Sequence, residues 1–506
     1  MCSYTVLYAA IAAFAILAPR TSAVSSSGLM GCKALVSAGL GDNVLFPSTP
    51  GNRYRASLES YYALDIREIL PSCVFQPRST QHVSGAIKVL SSLSSVDVAV
   101  RGGGHSVWPN NNIANGLTID LSLLDQTEVH MPNDSTTGAI ASVGSGSRWS
   151  SALVEVENYG LSVTAGRVAT VGVAGLTLGG GLSFHSGRHG FTCDGVVNYE
   201  VVLADGRVVN ANKTTNPDLF KALKGGSGNF GIVTRFDFDA FPAGHLYGGV
   251  ASASWDHKDT IIDSFVRMID INEHNPADNH ILVFTYNVTS DSFTVESILV
   301  NVDGLTNSTS FEPLAAVPWL YDMRKKQTYS EMVTSISDKG VYRDIWFSSC
   351  FQNNRLVIDK ATELFEALAI GTKADSTSVH RLEYVFQQLP KHYAQKNPGN
   401  NILGMDKSLT ENSILWQAEA YVETPEAKEL LHRKLAALTA DVEAYAESIN
   451  AATQWRYLNY VDPTQDPVKS YGPENIALMK AVSAKYDPTG FFQTRVPGGF
   501  KISHVD

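Results

Sequence analysis

The chain reads as an α+β protein assembled from two unlike parts, and three observations carry that reading. Residues from about 70 to 242 hold short apolar runs broken by glycine, without the regular strand–helix alternation of a doubly wound sheet. Beyond Pro242 the runs lengthen, and residues 280–285 and 293–300 alternate like strands of one broad antiparallel sheet followed by helices. The length, 506 residues, exceeds what a single core supports and calls for two or three domains.

Taken in chain order, residues 4–18 form an uncharged apolar run of about 15, short of the ~20 that span a bilayer. Pro19 and Arg20 end it, and Thr21-Ser22-Ala23 offers small residues for signal cleavage, so residues 1–23 are expected to be a signal peptide of a secreted protein. The lack of Lys or Arg before the run leaves a buried helix or a signal anchor as alternatives. Secretion agrees with four N-x-S/T sequons, at Asn133, Asn212, Asn287 and Asn307. It also permits disulfides among Cys32, Cys73, Cys193 and Cys350, for which three pairings exist. Cys32–Cys73 is preferred because the two flank a Gly- and Pro-containing segment that gains from being tied down; Cys193 reads as a buried thiol. Without a CxxC spacing, neither a zinc site nor a redox dithiol is expected. The charge balance, 39 Lys+Arg against 50 Asp+Glu, argues against nonspecific binding to nucleic acid or an anionic membrane. A hydrophobic content of 44% places the chain among folded proteins rather than disordered ones.

Within the first part, residues 80–93 and 216–224 read as helices, and 96–101, 117–121 and 199–203 as strands, the last entering a hairpin at Ala204-Asp205-Gly206-Arg207. In the second part, 425–449 is a long helix rich in Ala, Leu, Glu and Lys, and 455–502 returns to aromatics and turns.

Three glycine clusters stand out: Arg101-Gly102-Gly103-Gly104-His105-Ser106, GVAGLTLGGG at 172–181, and GGSGNFG at 225–231. Such clusters let backbone N–H groups close on an anion, and three of them within about 130 residues favour one large phosphate-containing ligand. Residues 226–231 satisfy G-x-G-x-x-G, but a helix precedes them and the strand-like 232–238 follows, the reverse of a Rossmann turn. No P-loop occurs either.

Together RGGGHS at 101–106, VGVAGLTLGGG at 171–181, RHGFTCDGVVNYEVVLADGRV at 188–208 and GGSGNFGIVTRF at 225–236 resemble the FAD-binding domain of the vanillyl-alcohol-oxidase superfamily. Residues 457–462 (YLNYVD), YGPEN at 471–475 and KYDPTGFFQ at 485–493 resemble the C-terminal element of berberine-bridge-enzyme-like oxidoreductases, closest to secreted fungal forms. The resemblance implies a two-part FAD-binding domain over 24–242, an antiparallel-sheet substrate domain over 243–454, and a C-terminal element over 455–506 that returns to the first. It further implies oxidation of an alcohol, amine, sugar or secondary-metabolite intermediate.

It also assigns roles. His105 matches the histidine bonded to the flavin 8α-methyl, with Arg101 and Gly102 to Ser106 forming the pyrophosphate loop; a hydrogen-bonded histidine at a strand end is the plain alternative. Many relatives carry a second, cysteinyl link, but Val168 occupies that position here, so a single bond is expected. Val171 matches the residue at the flavin edge where oxygen approaches, and its small side chain resembles the oxidase type, unless it merely packs. Gly172, Gly175, Gly179, Gly180, Gly181, His185, Gly228, Gly231, Ile232 and Val233 complete the expected FAD contacts, and Tyr457 and Asn459 are expected to contact or flank the ring. Tyr460 matches a tyrosine that acts as base in several relatives, while buried tyrosines often only pack. Free tyrosine has a pKa of ~10, so a base here needs a cation or hydrogen bonds beside it, with Arg456 and Asp462 nearby in sequence. His185 and His189 lie i,i+4, but Gly187 and Gly190 argue against a helix that would make them a metal pair. A small organic substrate and O2 are the expected partners. A dehydrogenase using another acceptor, or a noncatalytic flavin- or ligand-binding protein, are the competing readings; an intact His105 loop and Tyr457-x-Asn459-Tyr460 weigh against the last.

Overall fold

A computed structural model describes residues 26–505, except 133–137, 338–339 and 376–377. The proposed signal peptide and the Asn133 sequon lie outside the described residues. Three sheets follow one another along the chain. The first joins β1 (Val44–Leu45), β2 (Cys73–Phe75), β3 (Val98–Arg101) and β4 (Leu117–Asp120) in the order β1-β2-β4-β3. β2 and β3 both run parallel to β4. The helix Thr80–Ser91 crosses between β2 and β3, started by Ser79, whose side chain accepts from the His82 amide. Cys32 and Cys73 are disulfide-bonded with Cα atoms 6.1 Å apart, tying the helix Ser26–Leu35 to β2. Cys193 and Cys350 are buried free thiols.

The second sheet runs β5-β6-β10-β8-β9 from β5 (Thr127–His130), β6 (Ala139–Gly144), β8 (Val196–Val202), β9 (Val208–Asn212) and β10 (Ile232–Pro242), with β7 (Leu161–Ser162) beside β10. The expected hairpin is β8–β9, and the helix before the third glycine cluster is Pro217–Leu223, with proline at its first turn. The 226–231 loop therefore sits between a helix and a strand in that order, which is why it cannot act as a Rossmann turn.

The third sheet is the broad antiparallel one. It comprises β11 (Leu246–Ser254), β12 (Asp278–Asn287), β13 (Ser292–Asn301), β14 (Tyr321–Asp322), β15 (Lys325–Gln327), β16 (Arg343–Gln352), β17 (Val379–Leu389) and β18 (Ser413–Val422). Seven strands follow the order β14-β11-β13-β12-β17-β18-β16, with β15 pairing β11. The strands are longer than the sequence runs suggested, because both faces are covered and a covered strand need not alternate at its ends. The outer face packs Leu382, Tyr384, Phe386, Trp416, Ala418 and Ala420 on the helices Lys258–Ile271, Arg355–Asp375 and Pro425–Ser448. Thr424 caps the last of these, accepting from the Ala427 amide at 3.2 Å, with Pro425 at its first position. Because side chains alternate along a strand, the residues between those six point at the glycine-rich half. No helix among the described residues is long and apolar enough to cross a membrane. Of the remaining sequons Asn307 is exposed, while Asn212 and Asn287 are half-buried.

Candidate active site

A cavity of about 550 Å³ lies between the glycine clusters and the inner face of the third sheet, within the size range of ligand sites. The glycine wall is made of backbone. Gly103 and Gly172 meet back to back: a Cβ on Gly103 would come within 2.4 Å of the Gly172 Cα. Gly104 adopts φ +72, open to glycine and costly for most residues. The Arg148 guanidinium donates to the Gly103 carbonyl at 2.9 Å, and the Gly104 carbonyl accepts from the Tyr62 amide at 2.9 Å. His105 stacks on the Tyr62 ring with centroids 4.0 Å apart, and its Nε2 lies 3.1 Å from the Thr170 hydroxyl.

Fourteen of the residues singled out from sequence line this cavity. They are Gly102, Gly103, Gly104, His105 and Ser106 from the first cluster, Val171, Gly172 and Gly175 from the second, Gly228, Gly231, Ile232 and Val233 from the third, and Asn459 and Tyr460 from the tail. Val168, at the position of the second flavin link in relatives, lines it too.

Six others do not line it. Arg101 is buried behind its loop, 3.6 Å from Asp120 and over the Tyr61 ring, and it donates to the Ser57 carbonyl at 2.7 Å. Gly179, Gly180 and Gly181 serve close packing: a Cβ on each would meet the Asn459 side chain, Leu403 and Thr192 respectively. Tyr457 is buried behind Asn459, its hydroxyl accepting from the Asn459 amide at 3.0 Å and from the Leu182 N–H at 3.1 Å. His185 precedes a single helical turn, Ser186–His189, which forms despite its glycine, and it packs edge-on against Phe241 and Tyr329. Burial, with help from His189 and Arg188, pushes its pKa down to about 3, so it is neutral. His189 stacks flat on Phe241.

The opposite wall is made of side chains. Arg381, Glu383, Val385 and Gln387 of β17 and Gln417, Glu419 and Tyr421 of β18 line the cavity, alternating with the outer-face residues. Antiparallel register sets Glu383 against Glu419 and Val385 against Gln417. A hydrogen-bonded chain runs across them. The Arg167 guanidinium donates to the Tyr460 hydroxyl at 3.2 Å and also to Gln387 Oε1. Gln387 donates to Gln417 at 2.5 Å, Gln417 to Glu419 at 2.9 Å, and the Tyr421 hydroxyl to the other Glu419 oxygen at 2.5 Å. Desolvation, reinforced by the Glu383 carboxylate, pushes the Glu419 pKa up to about 8, against the pull of Tyr421 and Arg381. Arg381 pairs with Glu383 at 2.9 Å and lies over the Tyr421 ring. The cation beside Tyr460 is thus Arg167, not Arg456, which is paired with Glu443 at 2.6 Å. Asp462 turns to His432 at 2.9 Å.

Sequence reasoning passed over Arg167 and the sheet wall. The available signal was polar residues at every second place, Arg381, Glu383 and Gln387, then Gln417 and Glu419, inside otherwise apolar strands.

A backbone cradle faces a wall of acidic, amide and phenolic side chains, and the residues present suit FAD. Gly175 and Gly228 have open space where a Cβ would point. The buried Oδ1 atoms of Asn110 and Asn111, both residues lining the cavity, have no hydrogen bond among the described residues, as expected where a polar ligand completes them.

Comparison with known proteins agrees. Residues 71–212 match the model of an FAD binding domain. An FAD-dependent monooxygenase of Aspergillus calidoustus is 33% identical over 94% of this chain and 90% of its own length. Another, from Emericella nidulans, is 32% identical over 94% and 98%. Among solved structures, the berberine bridge enzyme of Eschscholzia californica superposes with a TM-score of 0.72 at 16% identity, covering 93% of this chain and 99% of that one. The 6-hydroxy-D-nicotine oxidase of Arthrobacter nicotinovorans gives 0.70 at 20% identity, covering 91% and 97%. The chain belongs to the family of FAD-dependent oxidoreductases that includes these fungal relatives, it is an enzyme, and it has the fold of the berberine bridge enzyme.

Proposed function

We propose that this enzyme oxidises a small organic substrate, an alcohol, sugar or secondary-metabolite intermediate, with O2 as the final electron acceptor. FAD, when bound in this cavity, would supply the hydride acceptor. In this reading residues 24–242 and 455–506 hold the cofactor, and 243–454 shape the substrate side. The Gly102–Ser106 loop and its neighbours at Gly172, Gly175, Gly228 and Gly231 supply backbone donors, and His105 carries the single covalent link to the flavin. Thr170 and Tyr62 fix the imidazole plane for that link. A secreted enzyme, made with a cleaved leader and held by Cys32–Cys73, gains from a cofactor that cannot dissociate.

Tyr460 takes the substrate proton, with Arg167 holding its oxygen. The observation that carries this reading is the hydrogen-bonded chain from Tyr460 through Arg167 to Glu419, lying across the cavity from the glycine loops. A second reading gives the proton to Glu419, favoured by its burial and its raised pKa near 8. Val171 lines the cavity, and in this reading its small side chain would let O2 approach.

The purified protein, precipitated in acid, should keep its yellow colour in the pellet; a colourless pellet overturns the His105 bond. Turnover under 18O2 separates the oxidase from the chemistry in the relatives' names. An oxidase yields one H2O2 per substrate and no label in the product, whereas a monooxygenase leaves one labelled oxygen there.

A further inference from the structure

One buried cation of the cavity has no use in this scheme. Near the end of the chain, Gly498, Gly499, Phe500 and Lys501 form a strap that lines the cavity. Gly498 presses so closely on the loop after the first glycine cluster that a Cβ would stand 1.9 Å from the Asn110 carbonyl oxygen. The Phe500 ring meets Trp108 edge-on at 5.3 Å. On the other side Asn229, in the third glycine cluster, donates to the Phe500 carbonyl at 3.0 Å and accepts from the Ile502 amide at 3.4 Å. Gln493 locks Asn229 in turn, donating to its carbonyl and side-chain oxygens at 3.0 and 3.1 Å. The strap is therefore hydrogen-bonded to the third glycine cluster and packed against the loop that follows the first, over the cavity.

Lys501 is 4% exposed. The carboxylate nearest in charge, Asp487, spends its two oxygens on the Phe491 and Phe492 amides at 2.8 and 2.7 Å. Lys501 Nζ has no hydrogen bond among the described residues. An ammonium buried this way is costly unless an anion meets it. Burial pushes its pKa down to about 8, with Asp487 opposing the shift. The site is built for a negative group, and the one anionic group of FAD near neutral pH is its pyrophosphate.

We propose that Lys501 binds and neutralises the cofactor pyrophosphate, adding a charged side chain to an otherwise backbone-made anion site. This rests on the FAD reading of the cavity. The ammonium, with three donors, is suited to a group with several acceptor oxygens.

The test uses the full chain with His105→Ala, so that flavin binds reversibly. After removal of flavin, the protein is titrated with FAD and with riboflavin, which lacks phosphate. Adding Lys501→Met should weaken FAD by about 10–100-fold, the loss of one charge-assisted contact. Riboflavin binding should change by less than about twofold. Lys501→Arg should restore most of the FAD affinity. Equal losses for both ligands, or an unchanged FAD affinity, overturn the proposal. If the Met variant fails to fold, Lys501→Gln is titrated in its place and judged by the same two outcomes. A His105→Ala parent that binds riboflavin but not FAD overturns the cavity reading and this proposal with it, whereas FAD binding insensitive to residue 501 overturns only the latter.

Discussion

The two walls of the cavity are made of different material. The glycine wall works through main chain: Gly103 on Gly172 leaves no room for even one methyl group, and the loop is clamped from behind by Arg101, Arg148 and the Tyr62 amide. The sheet wall works through side chains whose backbone is held by the ladder and the outer-face core. Substitution should therefore damage the first wall chiefly through folding and cofactor capture, and the second chiefly through chemistry.

The sharpest test is Tyr460→Phe, at the tail residue that meets the sheet wall through Arg167 and Gln387. The hydroxyl removed leaves packing in place, so folding and flavin content should hold while the rate of anaerobic flavin reduction falls by about 10²–10⁴-fold, the usual reach of a positioned base. Full turnover in the variant would remove Tyr460 from the mechanism and leave Glu419 as the base. Gly103→Ala comes next. Its methyl group would collide with backbone, costing about 1–3 kcal/mol by overpacking, and flavin per chain, read from visible absorbance, should drop sharply. A variant with normal flavin content would mean that the loops can part, and the contrast between the walls would fail.

Glu419→Gln has the smallest effect and the most particular. With its pKa at about 8, Glu419 is mainly protonated at neutral pH. If it takes part as a base, kcat/KM should rise with pH and level off above about 8, and the Gln variant should lose that limb. Stability runs the other way. The folded carboxyl keeps its proton up to about 8, while the unfolded one releases it near the ordinary value of 4.5. The stability it contributes is present below that value and is lost as pH rises through about 8. The melting temperature of the Gln variant should accordingly fall less between pH 5 and pH 9 than that of the parent.

The same contrast explains what could be read in the sequence. The glycine wall was legible because its function resides in residue type and local order: a cluster after β3, another after Val171, and a third between a helix and β10. The disulfide between Cys32 and Cys73 was legible for a similar reason, since both flank one short segment. The polar network that joins the tail to the sheet wall was not, because it is made by pairing across the chain. Arg167 and Tyr460 meet over 293 positions, and Arg167 and Gln387 over 220. Sequence proximity pointed to Arg456 and Asp462 instead, and both are satisfied elsewhere. Gly179–Gly181 lie off the cavity wall, and a glycine run shows that space is scarce without showing whether a ligand or a neighbouring side chain takes it.

The alternation along β17 and β18 has a consequence for how such an enzyme changes. Arg381, Glu383, Val385, Gln387, Gln417, Glu419 and Tyr421 face the cavity, while their immediate neighbours carry the weight of the outer helices. Selection can rewrite the first set one letter at a time with the second left untouched. Substitutions there reshape the cavity lining while the outer-face core keeps its packing.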